Sequence, residues 1–201
     1  MIDMIDMIDM IGKRQVIISI TGSCDDSSGL AEWSALLPPG ARLALPHYFV
    51  GRDGTVEACK GLAEATEWLG ERDESRVHVA LCNAGPLRRS GDCFYSAAGE
   101  AVLHFYEFCT QSPYRGHVYY ELITPKQIAA LEGLCRELIG RLGIRYRYDA
   151  TLGSLSPRCL GGEAGVWLAS GLVKGRIDPH PQTELIKMMM RLTDSAAENG
   201  C

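Results

Sequence analysis

The side chains of this chain that could do chemistry are its five histidines, its eight cysteines and a group of basic residues late in the sequence. His47 and His78 stand among apolar neighbours in strand-like segments, so buried, hydrogen-bonded roles are expected for both. His104 and His117 lack the paired spacing of metal ligands. His180 follows Asp178 in Asp178-Pro179-His180-Pro181, where both side chains could face one cleft. Cys24, Cys59, Cys82, Cys93, Cys109, Cys135, Cys159 and Cys201 include no C-x-x-C pair and match no zinc-knuckle spacing. Arg145, Arg147, Arg158, Lys174 and Arg176 are near one another in sequence and could bind an anion. Trp68 and Trp167 offer flat surfaces that could line or cover a cleft.

These residues must be positioned by a chain of 201 residues carrying 46% hydrophobic and 22% charged side chains. Its mean hydropathy is −0.03, which suits one globular domain with a substantial core. Lys and Arg total 20 against 25 Asp and Glu, a formal charge of −5. Nucleic-acid binding through counterion release needs a concentrated positive surface, so that class is excluded as a general activity. No apolar run is long enough to span a bilayer. The triplet Met-Ile-Asp recurs three times over residues 1–9, without the basic and apolar regions of a signal peptide. Residues 1–12 are therefore expected to form a flexible tail and the thiols to be reduced in a cytoplasmic setting. Residues 13–193 are expected to form one domain with insertions near residues 86–118 and 150–175, and 194–201 a second tail.

Residues 15–21 (QVIISIT) are rich in β-branched side chains and read as a buried strand. Ser27-Ser28 could cap a helix that ends at Pro38-Pro39-Gly40. Residues 47–51 and 55–58 flank Arg52-Asp53-Gly54, a hairpin signal. Residues 77–81 (VHVAL) predict a second core strand, and residues 119–122 and 144–148 two more. The clearest helix begins at Thr124-Pro125, cap and first-turn proline. Ile128, Leu131, Leu134, Cys135, Leu138, Ile139 and Leu142 then recur at helical spacing up to Gly143. Residues 86–118 read as loop with a short helix or irregular insertion over 97–108, and residues 151–174 hold a possible short helix around Trp167. Residues 182–192 predict a final helix and residues 193–201 a disordered end. The class is α/β, a central mixed β-sheet flanked by helices.

Four segments in order resemble the zinc-dependent N-acetylmuramoyl-L-alanine amidases of type 2, a family that includes amidase-type phage lysozymes and peptidoglycan recognition proteins. His47-Tyr48-Phe49-Val50-Gly51-Arg52-Asp53-Gly54-Thr55-Val56-Glu57-Ala58 is similar to the family's hairpin, with the phage lysozymes nearest. Residues 77–85 (VHVALCNAG) resemble its core strand, residues 124–131 (TPKQIAAL) its T-x-x-Q helix start, and residues 176–181 (RIDPHP) its closing segment. The resemblance implies an amidase type 2 fold with two insertions. It also implies a cleft in which zinc polarises the carbonyl of a muramoyl-alanine amide and activates water.

The same resemblance locates the chemistry and shows where it departs. A ligand histidine belongs where Ser19 stands, and a neutral hydroxyl is a poor zinc ligand beside an imidazole. Asp149 falls at the second histidine. The third ligand maps to Asp178, or in a competing register to Cys159. Ser19, Asp149 and Asp178 could instead make an oxygen-rich site for a hard cation. The tyrosine of the phage branch is Pro46, and the oxyanion-stabilising lysine is Arg176, or Arg158 in the other register. The family's W-H-A-G segment reads Glu67-Trp68-Leu69-Gly70, and Trp167 lies in an insertion that could form a lid.

The residues admit two functional readings. In the first the chain is a degenerate amidase, free of cofactor. It binds a small anion, a muropeptide or a protein partner through Ser19, His47, Trp68, Asp149, Arg158, Trp167, Arg176 and His180, and a phage-derived sequestering or inhibitory role would accompany it by analogy. The alternative is a working zinc amidase rebuilt from Asp149, Asp178 and either Cys159 or His180, with Arg176 contacting the oxyanion. Neither involves nucleic acid or a membrane.

Overall fold

The computed structural model describes residues 13–22, 44–97, 99–102, 109–114, 116–144, 165–169, 180 and 183–198. The β-branched run expected at the start forms β1 (Gln15–Ile20). It becomes the inner strand of a mixed sheet because it can bury both faces. β2 (Tyr48–Val50) and β3 (Val56–Ala58) form the antiparallel hairpin around Arg52-Asp53-Gly54. Asp53 holds that turn, its carboxylate accepting from the Thr55 N–H at 2.8 Å and from the Thr55 hydroxyl at 2.8 Å. β4 (Arg76–Leu81) lies parallel to both β1 and β2. β9 (Gly165–Leu168) closes the far side of β1, also parallel, giving the order β3-β2-β4-β1-β9.

Strand alternation divides the two faces of this sheet. Val16, Ile18, Val77, Val79, Leu81, Val166 and Leu168 point to one side, where α1 (Pro125–Leu142) and α2 (Thr183–Glu198) cover them. The apolar stripe of α1 expected from the sequence is the buried one, with Ile128, Leu131, Leu134, Cys135 and Leu138 inward. Leu185, Met188, Met189 and Leu192 are the matching stripe of α2. Both ends of α1 are capped as its sequence dictates. Thr124 and Gln127 form a reciprocal capping box ahead of Pro125, and Gly143 ends the helix in the left-handed conformation. Among the described residues no helix is long and apolar enough to cross a membrane.

Three expected elements differ. Residues 86–118, read as loop, contribute to a second antiparallel sheet of β5 (Pro86–Ser90), β6 (Cys93–Tyr95), β7 (Cys109–Tyr114) and β8 (His117–Glu121), in the order β6-β5-β8-β7. Arg88, Arg89 and Ser90 are exposed and break the alternating apolar pattern, while Leu87 and Phe94 pack with Ala84, Val102 and Tyr119 in a small cluster of their own. Trp167 lies in a strand and not in a short helix; a four-residue apolar run is equally compatible with either until its neighbours are known. The last helix continues to Glu198, past the expected end at Leu192. The helix expected after Ser27-Ser28 and the strand at residues 145–148 lie outside the described residues.

Candidate functional site

The face of the sheet turned away from the helices carries the polar side chains. Successive strands place Trp167, Ile17 and His78 side by side, with His47 next to His78 just before β2. Ser19 lies one pleat further along, opposite Ala80. Residues 59–75 run over this face, and Trp68 and Leu69 pack onto it with Ile17, Trp167, Phe49 and Ala80.

His47 is fully buried and held from several sides. Its Nδ1 accepts the backbone N–H of His78 at 3.1 Å, which assigns the ring proton to Nε2. That nitrogen donates to the Glu64 carbonyl oxygen at 3.0 Å, and the Lys13 Nζ stands 3.0 Å away while donating to the same carbonyl at 2.8 Å. Burial, reinforced by the neighbouring Lys13 charge, lowers the His47 pKa to about 3. Burial likewise lowers Lys13 to about 8. His47 is thus a neutral imidazole joining the start of β1, β4 and residue 64. It is a strut beneath the surface, as its apolar neighbours suggested, and no cleft contact is described for it.

His78 is paired differently. Its Nε2 lies 2.9 Å from Asp73 Oδ2, and its ring stacks on His47 with centroids 6.1 Å apart. Asp73 also accepts from the Ser75 N–H at 2.9 Å and from Arg76 Nη1 at 3.1 Å. Burial alone would raise the Asp73 pKa. The hydrogen bonds from His78 and Ser75 outweigh it and hold the carboxyl well below its usual range. Beside this pair lies a cavity of about 520 Å³, walled by Leu69, residues 71–76 and His78.

Ser19, the position where the resemblance implies a zinc ligand, is 3% exposed. Its hydroxyl accepts the Trp68 indole N–H at 2.7 Å and lies 3.4 Å from the Val79 carbonyl oxygen, to which it donates. Trp68 is set in place by Thr66, whose Oγ1 accepts the Trp68 backbone N–H at 3.1 Å while donating to the Leu45 carbonyl at 2.5 Å. A neutral hydroxyl already engaged on both sides does not fit a zinc centre. Trp167 belongs to β9 and packs on Ile17, Leu69 and Ala169, so it is part of the sheet and not a lid. His180 is buried with its ring 5.1 Å from that of Tyr120 on β8. Asp149, Arg158, Cys159, Arg176 and Asp178 lie outside the described residues, as do Arg145, Arg147 and Lys174. Among the described residues, no group of three or more His, Cys, Asp or Glu side chains could hold a metal ion.

Two buried thiols, Cys59 and Cys135, are not poised as nucleophiles. Burial pushes Cys59 up to about 11 and Cys135 up to about 12.

Lys13, Thr66 and Asp73 are the partners that sequence reasoning did not single out. No periodic pattern marks them; the one available signal was Asp73-x-Ser75, an Asx-type turn ahead of a strand. The motif residues prove to organise the framework. Arg52 forms a buried ion pair with Glu121, and the Thr124 hydroxyl donates to the Arg52 carbonyl at 2.6 Å. Gln127 Nε2 donates to the Cys82 carbonyl at 2.9 Å and to the Val50 carbonyl at 3.3 Å.

Compared with known proteins, the chain matches no family model, no curated protein and no solved structure.

Proposed function

We propose that this chain is a catalytically degenerate protein on an amidase type 2 scaffold, and that it holds a small anionic ligand, in the muropeptide class, in what was the active-site cleft. The observation that carries this reading is the bond between Ser19 and Trp68. Where the resemblance implies an imidazole aimed at a zinc ion, a serine hydroxyl is covered by an indole and satisfied by it. The order of elements supports the scaffold: a parallel core strand, the R-D-G hairpin, a second core strand, and a long helix begun by T-P-x-Q. The resemblance would assign the anion to Arg158 and Arg176, since guanidinium groups pair with carboxylates in two-point fashion. A reducing, cytoplasmic setting for the thiols is part of the same proposal.

The test is metal analysis of the full chain, combined with incubation on muropeptides and mass spectrometry of whatever molecule co-purifies. The expected result is less than stoichiometric zinc, intact muropeptides and a bound anion. About one zinc per chain, with peptide release abolished by Asp178→Ala, would establish the rebuilt amidase instead.

A further inference from the structure

A second cavity, of about 300 Å³, lies at the other sheet, between β5, the first residue of β8 and the turn that follows β6. Its floor is made by the buried Pro86, Leu87 and Ser96, and its rim by the exposed Arg88, Ala97, Gly99 and His117. That volume is at the small end of the roughly 300–1,000 Å³ of ligand sites, so it suits a compact molecule. These residues fall in an insertion that the amidase resemblance leaves unmatched, and a ligand seated here is independent of that reading.

The floor presents little polarity. The Ser96 hydroxyl is committed to Glu100, donating to its carboxylate at 3.4 Å and accepting its backbone N–H at 3.2 Å. Carbon surfaces of Pro86 and Leu87 remain. The rim is different, and its two adjacent arginines are not equivalent. Arg89 is engaged on every side: its Nε donates to the Gly91 carbonyl at 2.8 Å, its Nη2 stands 3.6 Å from the Asp92 carboxylate, and its guanidinium lies over the Phe94 ring at 5.8 Å. The Arg88 guanidinium has no hydrogen-bond or ion-pair partner among the described residues. An arginine stays charged and carries five N–H donors. The His117 ring meets Tyr120 edge-on at 6.1 Å, and its nitrogens make no hydrogen bond among the described residues. Neutral or charged, that exposed ring holds at least one N–H. Among the described residues no carboxylate lines the cavity.

We propose that this cavity binds a small monocarboxylate with an apolar body, its carboxylate held by Arg88 with His117 as second donor and its body resting on Pro86 and Leu87. A guanidinium offers a carboxylate two parallel N–H bonds, and the apolar body covers the floor that a bare anion would leave wet. Shedding water around the pair also strengthens it, since the attraction grows as the local dielectric falls. The rim is already open to solvent, so no segment has to move for the ligand to enter.

The experiment is titration of the full chain with sodium benzoate, monitored through backbone and arginine side-chain ¹⁵N resonances. Sodium acetate, a carboxylate with almost no body, and benzyl alcohol, a body with no carboxylate, serve as comparators. Saturable shifts centred on residues 87–88, 96–99 and 117 are expected for benzoate, with both comparators at least about tenfold weaker. Arg88→Gln, on the exposed rim, should weaken benzoate roughly ten- to hundredfold and His117→Ala about fivefold, each leaving the unfolding midpoint unchanged. Equal affinity for acetate would reduce the site to a bare surface charge, and equal affinity for benzyl alcohol to an apolar dent; either overturns the proposal. So do shifts centred elsewhere, a titration that does not saturate, or an unaltered affinity in either variant.

Discussion

The indole N–H of Trp68 donates to the hydroxyl of Ser19 at 2.7 Å, pinning the chain segment that crosses the polar face of the sheet onto its inner strand. Trp68→Phe keeps the ring and deletes the donor, so it should cost about 1 kcal/mol in urea unfolding monitored by circular dichroism. Ser19→Ala should cost a similar amount by stranding the indole N–H. Because both changes remove one bond, the double variant should lose less than the sum of the singles. Strict additivity would show that the two groups do not interact in solution.

Arg52 and Glu121 make the strongest test of the framework. Glu121 is fully buried and also accepts the Ala84 N–H at 2.5 Å, so it ties the hairpin turn to the second sheet. Arg52→Met leaves a buried carboxylate without its cation and should destabilise by about 3–5 kcal/mol. Adding Glu121→Gln removes the stranded charge while the amide oxygen still serves Ala84. The double variant should therefore recover part of the loss. A double variant less stable than Arg52→Met would mean that the carboxylate finds another partner.

Gly85 and Gly91 separate two costs of adding a side chain. Both have positive φ, +68° and +61° respectively. A Cβ on Gly85 would run into Ile20 Cδ1, whereas one on Gly91 meets open space. Gly91→Ala should cost about 1 kcal/mol from backbone conformation alone. Gly85→Ala should exceed it by about 1–2 kcal/mol, since Ile20 must leave its rotamer. Equal midpoints for the two variants would show that Ile20 moves aside freely.

The framework was legible where local chemistry and burial agree. β1 and β4 are strands whose β-branched runs are buried, and the hairpin is marked by its Arg52-Asp53-Gly54 turn. Thr124, Pro125, Gln127 and Gly143 mark the ends of α1 one residue at a time. The second sheet was not legible because its strands carry Arg88, Arg89 and Ser90 outward and depend on partners distant in sequence. The same holds for the polar face. His47 and His78 were visible as strand histidines, but Lys13 and Asp73 reach them only through tertiary packing. Ser19 was identifiable as a departure from a motif, while its closure by Trp68, from a turn segment far along the chain, was not.

The buried Lys13 and His47 pair gives stability a pH dependence of definite sign. His47 falls from 6.5 to about 3 on folding, so the unfolded chain takes up its proton first as the pH drops. Stability should therefore decline from pH 6.5 toward 3, and the depressed Asp73 carboxyl adds to the loss below 3.8. Lys13 falls from 10.5 to about 8, so between those values the unfolded chain holds the extra proton. Raising the pH across that interval should increase stability. Lys13→Met should abolish the alkaline rise. It should also make the acid decline shallower, because the Lys13 charge is one of the causes that lower His47. Urea midpoints of both proteins from pH 4 to 10 check these signs. If the variant retains the parent's slope above pH 8, the rise belongs to another group and Lys13 is not buried beside His47 as its amine.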